Sequence, residues 1–90
     1  MSRKLAVLIR DRQAEALRMA VGLTLADDRV DVFVMDRPVE ETEQNRLNID
    51  SMELMDMQYF TNSKDNAEAQ MLSREEIARK ILEYDHIIAY

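Results

Sequence analysis

The stretch Lys4-Leu5-Ala6-Val7-Leu8-Ile9-Arg10 decides the fold class of this 90-residue chain. Five apolar residues, Leu5 to Ile9, run between charges and lead at once into a helical pattern. A strand that is apolar on both faces needs cover on both faces, as an inner strand of a parallel α/β sheet does. An α/β architecture is therefore expected, with the remaining elements laid around this strand. Ninety residues make one domain, 1–90, able to bury roughly 60–65% of its unfolded surface and to fold without staples.

Downstream, Asp11 is the candidate N-cap of a helix running to about Ala26. On this helix Asp11, Glu15, Arg18 and Gly22 share one narrow polar stripe, and nearly everything else is apolar. A helix over a sheet needs only about a third of its circumference apolar. Either a second helix or another subunit is expected to cover the excess. Gly22 costs such a helix about 1 kcal/mol relative to Ala, which marks either a close backbone approach or a tolerated glycine.

Asp27-Asp28-Arg29 is read as a turn and Val30–Met35 as a second strand, with Asp31 near its start, where it emerges from the loop. Two strands joined by a helix of this length predict a right-handed βαβ unit with parallel neighbours. Pro38 marks a boundary. Over Val39–Met55, Leu47, Ser51, Leu54 and Met55 follow at helical spacing and predict a helix or two short helical pieces. From Met55 the period shifts towards two, so Asp56–Thr61 is expected as a partly exposed third strand. Residues 62–70 read as a polar loop. Ser73 and Glu76 then form a capping box, with Leu72 and Ile77 at the hydrophobic-staple positions. The helix they open is expected from Arg74 to about Tyr84, with Ile77, Ala78, Ile81 and Leu82 inward, and Asp85–Tyr90 is expected as a last strand.

Composition excludes several classes of function. Cysteine is absent, which removes disulfides, thiolate metal sites and cysteine nucleophiles. The lone histidine, His86, leaves little for imidazole chemistry, so no metal or cofactor is expected. A net charge of −6 argues against nucleic acid, whose phosphates need a basic face. With one glycine, no glycine-rich phosphate loop exists. No apolar run suits a membrane span and no signal-peptide pattern opens the chain, so a cytoplasmic location is expected. An acidic receiver-type pocket is not expected either, because no lysine follows the last strand.

Ligands of open α/β sheets bind beyond the carboxyl ends of the strands. Those ends carry Arg10, Arg12 and Arg37, with Thr61, Asn62, Ser63 and Lys64 opposite. These are the candidate ligand-binding residues for a small anion or nucleotide. The alternative is that the arginines balance Asp11 and Asp36. Met19, Gly22 and Leu23 on the over-apolar helix, with Met55, Met57 and Tyr59, are the candidate oligomer-interface residues. Methionine stripes serve more often as core filler, although adaptable interfaces use them too.

The order of these motifs resembles the DsrE/DsrF-like family of small α/β proteins. The resemblance rests on Lys4–Arg10 leading into Ala16-Leu17-Arg18-Met19-Ala20-Val21-Gly22-Leu23, on Val30–Asp36, and on Glu76-Ile77 through Leu82–Ile88. It spans most of the chain except 39–55 and the loop to Leu72. It implies a three-layer α/β/α sandwich with a mostly parallel sheet of four to five strands. It also implies homo-oligomers, commonly trimers or hexamers, and a link to sulfur metabolism, so a homo-oligomer from dimer to hexamer is expected. Some relatives relay sulfur through a cysteine after the strand corresponding to 57–61; here Tyr59-Phe60-Thr61-Asn62-Ser63 stands instead. The expected function is therefore that of a non-catalytic, oligomerising or partner-binding subunit.

Overall fold

Leu5, Ala6, Val7 and Ile9 are buried along β1 (Lys4–Ile9), the strand predicted to be covered on both faces. The structure, a computed structural model, describes residues 3–25, 29–66 and 69–90. After β1 come α1 (Gln13–Leu25), β2 (Arg29–Val34), α2 (Glu43–Leu54), β3 (Tyr59–Thr61), β4 (Gln70–Met71), α3 (Arg74–Ile81) and β5 (His86–Ala89). One five-stranded sheet forms in the order β4-β3-β2-β1-β5, and every adjacent pair is parallel. The α/β class is as expected, and the arrangement is compatible with a three-layer sandwich. β1 and β2 are the parallel neighbours that a βαβ unit requires.

The two faces of β1 divide the core. Leu5, Val7 and Ile9 join Ala16, Leu17 and Ala20 of α1, Val30, Val32 and Val34 of β2, and Met52 of α2. Ala6 points the other way, into a cluster with Phe33, Met35, Phe60, Ile77 and Tyr84. Alternation along a strand sends successive side chains to opposite faces, so an unbroken apolar run feeds both clusters at once. The second cluster has aromatic geometry. Phe33 stacks on Phe60 with centroids 5.0 Å apart and meets the edge of Tyr84 at 5.7 Å and 86°. Each fully buried side chain of this size contributes roughly 1.5–3 kcal/mol relative to exposure.

Several expectations need correction. α1 starts at Gln13, so Asp11 is not its N-cap; the Asp11 carboxylate pairs with Arg37 instead, at 2.9 Å. The cover for the excess apolar surface of α1 is α2, which packs beside it. Gly22 is exposed, and a Cβ there would meet nothing within 4 Å, so no close approach explains it. α2 is a single helix, N-capped by Thr42, whose Oγ1 accepts the Asn45 N–H at 3.1 Å. Its inner face is Asn45, Asn48, Ile49 and Met52, while Leu47 (59%) and Leu54 (86%) of the expected apolar stripe are exposed. β3 is shorter than predicted, because Asp56 turns with φ 54 before it. Gln70, expected as the end of the polar loop, forms with Met71 the parallel edge strand β4. Two residues carry too little periodicity to be seen in sequence.

At the far end, Ser73 and Glu76 form the capping box as read, and Leu72 and Ile77 both join the second cluster. The helix stops at Ile81, however, and Ala78 and Leu82 are exposed rather than inward. Tyr84, expected as the end of the helix, is a buried residue of the α3–β5 connection. Of the expected Asp27-Asp28-Arg29 turn, Asp27 and Asp28 lie outside the described residues, as does Ala26, while Arg29 opens β2. Ala67 and Glu68 of the polar loop also lie outside them.

Candidate functional site

The carboxyl ends of β1, β2 and β3 meet in one polar network centred on Asp36. This residue follows β2 with φ 70, a left-handed conformation that aspartate tolerates better than most side chains. The turn directs its N–H to Asn62 Oδ1 at 2.7 Å, and Asn62 Nδ2 returns a bond to Asp36 Oδ1 at 3.1 Å. Arg10 Nε lies 3.4 Å from Asp36 Oδ2, and Arg74 reaches Asp36 Oδ1 from the first turn of α3. The Asn62 hydrogen bond does most to hold the Asp36 carboxyl below its usual range; burial opposes it, and the charges of Arg74 and Arg10 add to the lowering.

Every arginine predicted to line an anion site has a carboxylate partner. Arg10 faces Asp36, Arg37 pairs with Asp11 at 2.9 Å, and Arg12 pairs with Glu15 at 3.0 Å. Arg12 also lies over the Tyr90 ring, 5.8 Å from its centroid. The strand order reverses direction between β1 and β5, the place where an open sheet forms a ligand crevice. Tyr90 packs there against the first core cluster and donates from Oη to Met19 Sδ at 3.0 Å.

The predicted residues after β3 have separate structural duties. Thr61 is fully buried; its Oγ1 donates to the Val34 carbonyl at 2.8 Å and accepts from Ser63 N at 3.0 Å. Asn62 belongs to the Asp36 network, while Lys64 is exposed on the turn. Residues that sequence reasoning passed over fix the loop between β2 and α2. Asn66 accepts the Val39 N–H at 2.8 Å and donates to the Arg37 carbonyl at 3.2 Å and to Thr61 Oγ1 at 3.0 Å. Gln13 donates to the Pro38 carbonyl and accepts from Glu40 N, each at 3.0 Å. An amide side chain in a polar stretch carries no signal of such a long-range clamp.

A second polar feature lies inside the sheet. Asp31, expected at a loop-like strand start, is 1% exposed, and the Tyr84 hydroxyl donates to its Oδ2 at 2.5 Å. Gln58 N–H approaches its Oδ1 at 3.4 Å and Arg29 Nε lies 4.0 Å from its Oδ2. Burial first, then the bond to Asp31, pushes the Tyr84 phenol far above its ordinary value.

Of the predicted interface residues, Met19, Leu23, Met57 and Tyr59 are half-buried against the first core cluster. Gly22 is exposed, and Met55 is the half-buried C-cap of α2. His86 is exposed at the start of β5. Among the described residues, no group of three or more His, Asp or Glu side chains could hold a metal ion, and no helix is long and apolar enough to cross a membrane. Searches against family models, curated proteins and solved structures found no match to this chain.

Proposed function

We propose that this protein is a non-catalytic subunit that works by association, the smallest unit being a two-fold pair of identical chains. One observation carries the reading: α2 turns leucines outward and asparagines inward. Leu47 and Leu54, two turns apart, are 59% and 86% exposed, and Met55 continues the same ridge. A soluble helix ordinarily places such a stripe against its own core. An exposed apolar stripe bounded by charge is what a docking face offers.

A second copy suits this face. Two antiparallel α2 helices related by a two-fold bring Leu47 of each chain to Leu54 of the other, with the small Ser51 near the crossing. Such an isologous contact closes on itself. The absence of cysteine and the exposed position of the lone histidine support a non-catalytic role. The resemblance in motif order to DsrE/DsrF-like proteins supports an oligomer and a link to sulfur metabolism, with any thiol supplied by a partner. An anion-binding reading is less favoured, because Arg10, Arg12 and Arg37 each face a carboxylate.

Light scattering on a size-exclusion column tests the proposal. Wild-type chain should elute as a dimer or higher oligomer, and Leu54→Glu should elute as a folded monomer. A wild-type monomer at high concentration sinks the reading. So does an oligomer that survives Leu54→Glu but is lost in Ile87→Glu, which would move the interface to the open edge of β5, where Ile87 is 49% exposed.

A further inference from the structure

β5 departs from the rule that places β1 inside the sheet. Ile87-Ile88-Ala89-Tyr90 is an unbroken apolar run, yet β5 is an outermost strand in the order β4-β3-β2-β1-β5. Parallel sheets are ordinarily covered on both faces. Here neither face of β5 is closed. On the α3 side Ile87 is 49% exposed and Ala89 is exposed; on the α1 side His86 is exposed and Ile88 is half-buried. α1 packs on β1, β2 and α2. Leu82, at the C-cap of α3, adds an apolar side chain that is 83% exposed.

The backbone rim of β5 is open as well. Tyr90 N–H donates to the Leu8 carbonyl, and the Tyr90 carbonyl accepts from Arg10 N–H, each at 2.8 Å. Both polar groups of Tyr90 therefore face β1. Alternation along the strand turns those of Ile88 inward too, and those of Ile87 and Ala89 outward. Natural sheets blunt such a rim with a lysine, a proline, a bulge or a very short strand. The opposite edge follows that rule, because β4 has 2 residues. β5 has 4, in unbroken register with β1, and carries neither lysine nor proline.

We propose that β5 pairs antiparallel with β5 of a second copy, about a two-fold at Ile88, so that two sheets join into one. The residues of the strand select this occupant. In that register Ile87 of each chain exchanges both outward hydrogen bonds with Ala89 of the other. The bulky Ile87 lies beside the small Ala89 on the α3 side. The two Ile88 side chains meet on the α1 side, at a non-hydrogen-bonded position where cross-strand pairs come closest. Glu83 and Asp85, ahead of β5, come to the end of the second chain that carries Arg10 and Arg12, so unlike charges face each other. Such a contact is isologous and closes on itself. It lies on a different element from the α2 stripe, so neither contact depends on the other. A strand of 4 residues buries less than the roughly 1,200 Å² of a standard interface. β5 therefore pairs only at high concentration and adds to the α2 pair rather than replacing it.

The test is sedimentation velocity of the full chain carrying Leu54→Glu, which removes the α2 contact, from about 10 μM to about 1 mM. A monomer at the low end should become a dimer at the high end. Amide hydrogen exchange read by NMR over the same range locates the contact. Ile87 and Ala89 N–H should exchange freely when dilute and slow by about tenfold or more when concentrated. Ala89→Pro deletes an outward N–H and should abolish both effects, while Ala89→Ser, which keeps it, should preserve them. Protection of the Tyr90 N–H, bonded to Leu8, shows in each variant that β5 is still in place. A monomer throughout, a dimer whose Ile87 and Ala89 amides stay unprotected, protection already complete in the monomer, or pairing unchanged in Ala89→Pro overturns the proposal. The two contacts fail separately: a wild-type chain that does not pair through α2 leaves the exchange result at β5 as it is.

Discussion

Replacing Tyr84 with Phe removes one oxygen atom and leaves the ring in place. The ring keeps its edge contact with Phe33 at 5.7 Å and its position beneath Lys4 Nζ, 4.8 Å from the centroid. What is lost is the hydroxyl that donates to Asp31 Oδ2 at 2.5 Å. Asp31 is 1% exposed, so water cannot take over without opening the sheet. Its remaining neighbours are the distant Gln58 N–H at 3.4 Å and Arg29 at 4.0 Å. A hydrogen bond to a charged group contributes about 1.5–3 kcal/mol, and a buried acceptor left short costs at the upper end of that range. The expected loss is therefore about 2–3 kcal/mol, against a total of roughly 5–15 kcal/mol for a domain. It should lower the melting temperature by about 10–20 °C.

Urea unfolding followed by circular dichroism measures this loss. The midpoint should fall while the slope, which reports the surface exposed on unfolding, stays the same. A loss below about 0.5 kcal/mol would refute the reasoning, since that is what an ordinary surface substitution costs. The alkaline limb provides a second check with a definite sign. Below the ordinary tyrosine value of about 10, both folded and unfolded chains keep the Tyr84 proton, and its contribution is complete. Above that value the unfolded chain ionises while the folded chain, whose Tyr84 is held higher, does not. Stability therefore declines as pH rises through this region. Tyr84→Phe should show a shallower decline than wild type, the other tyrosines being common to both.

Further outcomes follow from other parts of the molecule. Gly22→Ala should stabilise by about 0.5–1 kcal/mol in thermal unfolding, because the position is helical and a Cβ meets nothing within 4 Å. A loss instead would show an unseen close neighbour. Ser73→Ala should cost about 1 kcal/mol by removing the acceptor for the Glu76 N–H at 3.1 Å, and Ser73→Gly should cost less. Asp36, whose carboxyl is held low mainly by Asn62, contributes stability that is present above the ordinary carboxylate range and lost as pH falls through its lowered value. Asn62→Ala should move the Asp36 titration, read by carboxyl carbon NMR, back towards that range; an unmoved titration would assign the effect to the arginines alone.

The legibility of each element followed the range of the interaction that sets it. The doubly covered β1, the β1–α1–β2 unit and the capping box before α3 rest on neighbouring residues, and each is present where the pattern put it. The face of α2 differs from the expected one because Leu47 and Leu54 look like a core stripe by spacing. The core instead takes Met52, and Asn45, Asn48 and Ile49 are buried on the same face of the helix. Asp31 looked like a loop-edge charge because its partner, Tyr84, lies far along the chain. β4 is not legible in sequence because two residues give no period, and its pairing with β3 is decided by the sheet edge rather than by local sequence.

For the candidate sites the division is sharper. Arg10, Arg12 and Arg37 were placed correctly at the strand ends, but which carboxylate each would meet depended on how the loops cross. Asn66 and Gln13, which clamp the β2–α2 loop, gave no sequence signal. Sequence alone determined the α/β class, the parallel pairing of the first two strands and the lack of any thiol, because composition and short-range periodicity suffice for these. Only the tertiary structure decided the strand order, the outward turn of Leu47 and Leu54 and the bare edge at β5. Those depend on which distant surfaces compete for the same buried space, a competition that no local pattern records.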